Sequence, residues 1–207
     1  MNTDVDYEKM ANLVFDEMVK AGIPENAIDR SEGSKFNLDS GVRYLVEAGR
    51  KNELHEIEKR IASRARDIEL ENSDIARPFP GALRLLTELR KKGYKTGVLT
   101  RGCREYASKI LTQNNVIELL DGLVCRDDFQ ESDAKPSPVA MQNLAKAVGC
   151  EVNEIIYVGD HGMDYKCAKA AGAGFIGVLS GAYAKQDWKK AGEAEIVNTI
   201  ADLLEML

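Results

Sequence analysis

Three separated stretches of this chain carry residues whose types and spacing suit work on a phosphate. Val98-Leu99-Thr100 is an apolar run ending in a hydroxyl, followed by Arg101-Gly102 and a helical pattern. A hydroxyl at a strand end, just ahead of exposed helix amides, is placed to hold a phosphate oxygen. Its plainer role is to cap that helix. Lys135 stands before Pro136-Ser137-Pro138. Prolines there fix the entry into a helix and aim the lysine backbone, so the ammonium can neutralise a phosphate and a neighbouring carboxylate. The commoner fate of a single lysine is a solvated surface. Asp160 and Asp164 follow the apolar run at 155–158, with Gly159 allowing a sharp turn. The two acids lie about one helical turn apart and can face one point. Hard oxygens at a strand end suit Mg²⁺, which keeps several waters and takes one or two carboxylates. The alternative is that Asp160 caps a helix and Asp164 is a first-turn acid.

The elements that must position these residues divide near Arg77-Pro78-Phe79-Pro80-Gly81, a stiff non-helical connection. Before it the pattern is helical. Met10, Leu13, Val14, Met18 and Ala21 form one stripe, stopped by Gly22. Pro24 fits the first turn of a short helix. Residues 38–48 give a third helix, and Leu54, Ile57, Ile61, Ala65 and Ile68 give a long fourth. Such stripes bury against each other, so residues 6–75 read as a small helical bundle. After the connection, helices alternate with short apolar runs. Strands are expected at 94–100, 122–125, 155–158, 175–178 and 196–197. Helices are expected around Leu85, Ile110, Leu144 and Ala168, with a last one at the end of the chain. That alternation predicts an α/β core over 78–207 with a Rossmann-like parallel sheet covered on both faces. Ligands of such sheets bind at the carboxyl edge of the strands.

Bulk properties narrow the function. A net charge of −6 argues against nucleic acid, which needs a basic face. No apolar run is long enough to cross a membrane, and Met1 to Asp6 lacks the basic and apolar parts of a secretory signal. Cys103, Cys125, Cys150 and Cys167 are widely spaced, without a CxxC pair. They read as reduced thiols of a cytoplasmic protein rather than a disulfide frame or a zinc site.

Taken together, the three stretches resemble the haloacid dehalogenase superfamily in order and placement. Val98-Leu99-Thr100 is similar to its second motif and Lys135-Pro136 to its third. Gly159-Asp160-His161-Gly162-Met163-Asp164 matches the fourth, GDxxxD. Pro78-Phe79-Pro80-Gly81 with the leucine-rich helix behind it resembles the re-entry from a helical cap in the phosphoglycolate phosphatase-like branch. The resemblance implies a Mg²⁺-dependent phosphatase acting on a small phosphorylated metabolite through an aspartyl-phosphate. Thr100, Arg101, Gly102 and Lys135 would bind the phosphate. Thr100 and Lys135 would serve catalysis, and Asp160 and Asp164 the metal.

The chain departs from the pattern in one respect. The first motif, an apolar strand ending in DxDGT with its nucleophilic aspartate, has no clear match. Asp4-Val5-Asp6 has the spacing without the apolar lead; Leu13-Val14-Phe15-Asp16 has the lead without the second acid. Met1-Asn2-Thr3-Asp4 resembles the stretch just after DGT in relatives, so the expected central strand is missing and the chain is expected to turn over little substrate. Strands 94–99 and 155–158 should then flank an open or abnormally closed position. A non-catalytic domain binding Mg²⁺ or phosphate, and a phosphomutase, are the competing readings. Dehalogenase chemistry needs no metal, so the two acids after Gly159 argue against it. In the helical part, Lys35 and Arg43 read as solvated charges with anion contact as the alternative.

Overall fold

A computed structural model of the protein describes residues 1, 3–192 and 195–206. The chain divides into two compact units, Thr3–Ala76 and, with Met1, the stretch from Arg77 onward. The boundary falls at the proline-bearing connection.

The first unit holds three α-helices: α1 (Tyr7–Lys20), α2 (Ser34–Glu47) and α3 (Leu54–Glu71). Asp6 caps α1, its carboxylate accepting from the Lys9 amide at 2.8 Å, and Gly22 ends it with φ +76°. Val14, Phe15, Met18, Leu38, Leu45, Ile57 and Ile61 form one buried cluster. Met10, Leu13, Ala65 and Ile68 form another. α1 and α2 approach closely because position 41 is glycine; a Cβ there would stand 2.4 Å from the Met18 sulfur.

The short helix expected at Pro24 is absent; residues 23–33 are turns and bends. The physical reason is Asn37, which is fully buried. Its Oδ1 accepts from the Asp29 amide at 2.8 Å, and its Nδ2 donates to the carbonyls of Asp29 (2.8 Å) and Glu32 (3.3 Å). A side chain that satisfies the backbone in this way competes directly with helix.

The second unit alternates as expected. It runs α4 (Ala82–Lys91), β1 (Gly97–Leu99), α5 (Arg104–Gln113), β2 (Gly122–Val124), α6 (Pro138–Val148), β3 (Ile156–Gly159) and α7 (Gly162–Ala171). Then come β4 (Gly174–Val178), α8 (Lys185–Ala191), β5 (Glu195–Val197) and a 3-10 stretch, Ile200–Met206. Every strand pairing among the described residues is parallel. The strands form two sheets rather than one: β1–β2, and β3–β4–β5. No strand among the described residues joins β1 to β3.

Other differences are local. β1 is three residues long, not seven. The run at 155–158 is not fully buried: Ile156, at the start of β3, is 67% exposed, and burial rises only toward Gly159. α8 has no apolar stripe to announce it and buries one large residue, Trp188. The terminal helix is 3-10 rather than α. α6 lies directly on β1 and β2 because Gly97 and Gly122 are register partners. A Cβ on either would stand within 2.8 Å of Val148.

Glu17 is a buried, multiply paired acid of the helical unit. It is 3% exposed and accepts from Lys20 (2.9 Å), Arg60 (3.1 Å) and Arg64 (2.6 Å). Burial alone pushes its pKa up, but the three cationic donors outweigh this and bring it from 4.5 down to about 2. A folded pKa below the unfolded one stabilises fully above pH 4.5 and is lost as pH falls toward 2. The contribution is up to about 3 kcal/mol. Denaturant unfolding between pH 6 and pH 2.5 should show that acid loss, and Glu17→Gln should flatten it. An unchanged acid limb in the variant would place the loss elsewhere.

Candidate phosphate and metal site

The carboxyl ends of β1 and β3 meet at Lys135. Its ammonium donates to Asp164 Oδ1 at 2.6 Å, to the Tyr157 hydroxyl at 3.0 Å and to the Leu99 carbonyl at 3.3 Å. The Tyr157 hydroxyl lies 3.1 Å from the same carbonyl and 3.2 Å from Asp164 Oδ1. The lysine and aspartate side chains are only 12% and 6% exposed. Burial disfavours the charged lysine, but Tyr157 and Asp164 reverse this and hold it well above the ordinary lysine value. Burial, with Asp164, raises the Tyr157 hydroxyl, against the pull of Lys135. At neutral pH the ammonium is therefore charged and the tyrosine is neutral. The solvated-lysine alternative does not describe Lys135.

Asp164 sits on α7, yet its carboxylate is turned back onto β3. Its Oδ2 accepts from the His161 amide at 3.1 Å, closing a capping box. The approach is possible because residue 159 is glycine; a Cβ there would stand 2.4 Å from Asp164 Cβ. The helix cap itself is His161, whose Nδ1 accepts from the Met163 amide at 3.1 Å. Asp160 is not the cap. Its Oδ2 accepts from the Ala182 amide at 3.0 Å, and its carbonyl from the Tyr183 amide at 2.9 Å. The segment after β4 thus wraps the acid, with Gly181 so close that a Cβ would fall 2.1 Å from Asp160 Oδ2. The Met1 amine feels the Asp160 charge: burial lowers its pKa and Asp160 partly restores it.

Thr100 follows the carbonyl that Lys135 contacts. Its Oγ1 accepts from the Gly102 amide at 3.0 Å, so it organises the turn before α5, whose cap is Cys103. Arg101 points away from that turn, to Glu131 Oε1 at 2.5 Å and to the Lys135 carbonyl at 3.0 Å. The sequence pattern groups Thr100, Arg101, Gly102, Lys135, Asp160 and Asp164. The structure brings them to the two strand ends but divides their roles. The Gly102 amide and the Arg101 guanidinium are engaged within the chain. Both Asp164 oxygens are engaged with Lys135, Tyr157 and His161, so Asp164 acts here as the lysine's counter-ion. No cluster of three or more potential metal ligands occurs among the described residues.

Sequence reasoning missed Tyr157, Glu131 and the segment 180–183. Tyr157 had a signal, being the one hydroxyl in an otherwise apolar strand. Glu131 and Gly181 had none, because their meaning lies in what folds against them. The two imitations of the first motif have local duties. Asp4 accepts from Asn72 Nδ2 at 3.2 Å, Asp6 caps α1, and Asp16 pairs with Arg30 at 2.6 Å. The run Met1-Asn2-Thr3-Asp4 includes Asn2, which lies outside the described residues. In the helical unit, Lys35 pairs with Asp39, and Arg43 donates to Ser40 Oγ at 3.3 Å.

The parallel α/β core thus presents a lysine, a hydroxyl and acids near the carboxyl ends of β1 and β3. The chain belongs to the haloacid dehalogenase-like hydrolase family, whose model matches residues 1–178. It is 29% identical over 152 residues to a validoxylamine A 7'-phosphate phosphatase of Streptomyces hygroscopicus subsp. limoneus, covering 73% of this chain and 68% of that protein. It is 31% identical over 136 residues to a phosphoglycolate phosphatase of Aquifex aeolicus, covering 65% of this chain and 62% of that one. Its fold is similar to that of a β-phosphoglucomutase from Clostridium difficile: TM-score 0.64, 18% identity, 98% of this chain and 89% of that one. The chain spans roughly half to two thirds of the curated relatives it matches.

The buried pair yields a test independent of activity. Lys135→Met should cost about 3 kcal/mol in urea unfolding, because it leaves a buried carboxylate uncompensated. Adding Asp164→Asn should recover at least about half of that loss. Additive losses in the double variant would show that the two groups are not coupled.

Proposed function

We propose that the unit beginning at Arg77 is the phosphate-handling core of a phosphomonoester phosphatase, with the helical unit as its cap. The observation that carries the reading is the buried, charged Lys135 held at the ends of β1 and β3, against the carbonyl of the residue before Thr100. Lys135 neutralises the bound phosphoryl group. Thr100, whose oxygen is fixed by the Gly102 amide, donates its own hydrogen to a phosphate oxygen. The substrate is a small phosphorylated metabolite; the names of the phosphatase relatives support that class. The acidic net charge supports a protein that does not bind nucleic acid. The four free cysteines support a reducing, cytoplasmic setting.

The residues fit Mg²⁺ through Asp160. Ala182 holds one of its oxygens and no bond of the described residues engages the other, which suits an ion that takes one or two carboxylates and keeps its waters. Asp164 fits less well as a direct ligand, since Lys135 and His161 take both its oxygens. When bound, the ion would neutralise charge on the phosphoryl oxygens.

The nucleophilic carboxylate of an aspartyl-phosphate route is assigned to neither Asp4, Asp6 nor Asp16, which have the local duties given above. This engagement of Asp4, Asp6 and Asp16 also favours the second reading, a domain that binds Mg²⁺ and phosphate without turnover. The phosphomutase reading differs only in what accepts the phosphoryl group.

A panel of phosphomonoesters with Mg²⁺, run on the 207-residue chain beside a phosphate-binding measurement, tests this. The expected result is little turnover, because Asp4, Asp6 and Asp16 are engaged locally, together with Mg²⁺-dependent binding of phosphate. Fast Mg²⁺-dependent release would return the nucleophile to one of those three carboxylates. A chain showing neither turnover nor phosphate binding would refute the phosphate-handling core. On the turnover that is measured, Thr100→Ala should cost about 2–4 kcal/mol of transition-state stabilisation, as for a single oxyanion donor. Asp160→Asn should weaken Mg²⁺ dependence and rate together.

A further inference from the structure

Arg101 directly follows Thr100, and electrostatics alone would make it a phosphate ligand. Its bonding says otherwise. One prong of the guanidinium donates to Glu131 Oε1 at 2.5 Å and the other to the Lys135 carbonyl at 3.0 Å. The pair is well covered, with 25% and 16% side-chain exposure. The Arg101 carbonyl in turn accepts from Arg126 at 3.2 Å, and the Gly102 carbonyl accepts from the Arg126 amide at 3.1 Å. To reach a phosphate, Arg101 would have to abandon Glu131 and leave a carboxylate beside an anion.

Lys135 meets the stretch 99–101 twice. Its main chain is tied by Arg101, and its ammonium reaches the Leu99 carbonyl at 3.3 Å. One short stretch thus fixes both ends of a side chain that otherwise has wide rotamer freedom. The planar fork of arginine serves two acceptors at once, which a lysine ammonium does less well.

We propose that Arg101 is a positioning residue: held by Glu131, it clamps the Lys135 main chain so that the Lys135 ammonium stands beside Thr100. The inference rests on the reading of Lys135 as the phosphate cation, and the experiment separates the two.

Inorganic phosphate is titrated calorimetrically into the 207-residue chain with Mg²⁺ present. Lys135→Ala tests the site. A wild-type chain that binds no phosphate, or a Lys135→Ala variant that binds it normally, sinks the phosphate reading. Arg101→Ala and Glu131→Ala test the clamp, and both should weaken binding about tenfold, as supporting residues around a site do. The sign for Glu131 decides. If Arg101 were itself a ligand, removing the carboxylate would release it and tighten binding. Unchanged or tighter binding by Glu131→Ala therefore overturns the proposal.

A second measurement needs no phosphate. Acetylation of Lys135, compared with exposed Lys146 and read by peptide mass spectrometry, should rise several-fold in Arg101→Ala. Arg101→Lys, a milder change should the alanine variant misfold, should show the same direction at smaller amplitude. Lys135 labelling equal to wild type in a folded variant would refute the clamp whatever the phosphate result.

Discussion

The site depends on one buried ion pair, Lys135 with Asp164. Removing both charges from water is costly, and their attraction compensates only when the remaining donors and acceptors are also satisfied. Here they are. The ammonium has three acceptors, Asp164, the Tyr157 hydroxyl and the Leu99 carbonyl. The carboxylate also takes the His161 amide. Each partner comes from a different part of the fold: the end of β1, the segment before α6, the middle of β3 and the first turn of α7. The pair therefore does more than balance charge. It ties two sheets that share no ladder among the described residues, and it does so where a ligand of a parallel α/β core binds.

Close backbone approach is the second constraint. Gly159 lets Asp164 fold back over the end of β3, and Gly181 lets the segment after β4 cover Asp160. Gly97 and Gly122 let α6 settle onto β1 and β2, and α6 begins three residues beyond Lys135. At each of these positions an added methyl would meet an atom at less than 3.0 Å. The polar geometry of the site thus depends on missing side chains, since a Cβ at any of these glycines would collide with its neighbour.

The helical unit shows the same economy of means with different residues. Glu17 gathers Lys20 from its own helix and Arg60 and Arg64 from α3. Buried Asn37 replaces a helix by holding the 29–32 loop through three hydrogen bonds. Neither group belongs to the phosphate chemistry. Each satisfies buried polarity that an apolar stripe cannot.

Periodicity and turn residues alone determined the alternating core, the helices α1 to α7 apart from the short one expected at Pro24, the placement of Thr100 and Asp160 at strand ends, and that of Lys135 just ahead of a helix. Those features are local, and local spacing carries them. α8 escaped because a helix anchored by a single buried tryptophan has no period. The division of roles within the site was decided only in the tertiary structure. Arg101 and Thr100 are neighbours in sequence, but Glu131, thirty residues away, determines where the guanidinium points. Asp164 has the spacing of a metal ligand beside Asp160, yet Lys135 and Tyr157 claim its carboxylate. Hydrogen-bond partners across such separations leave no mark in a single sequence, because each residue type is compatible with several partners until the fold selects one.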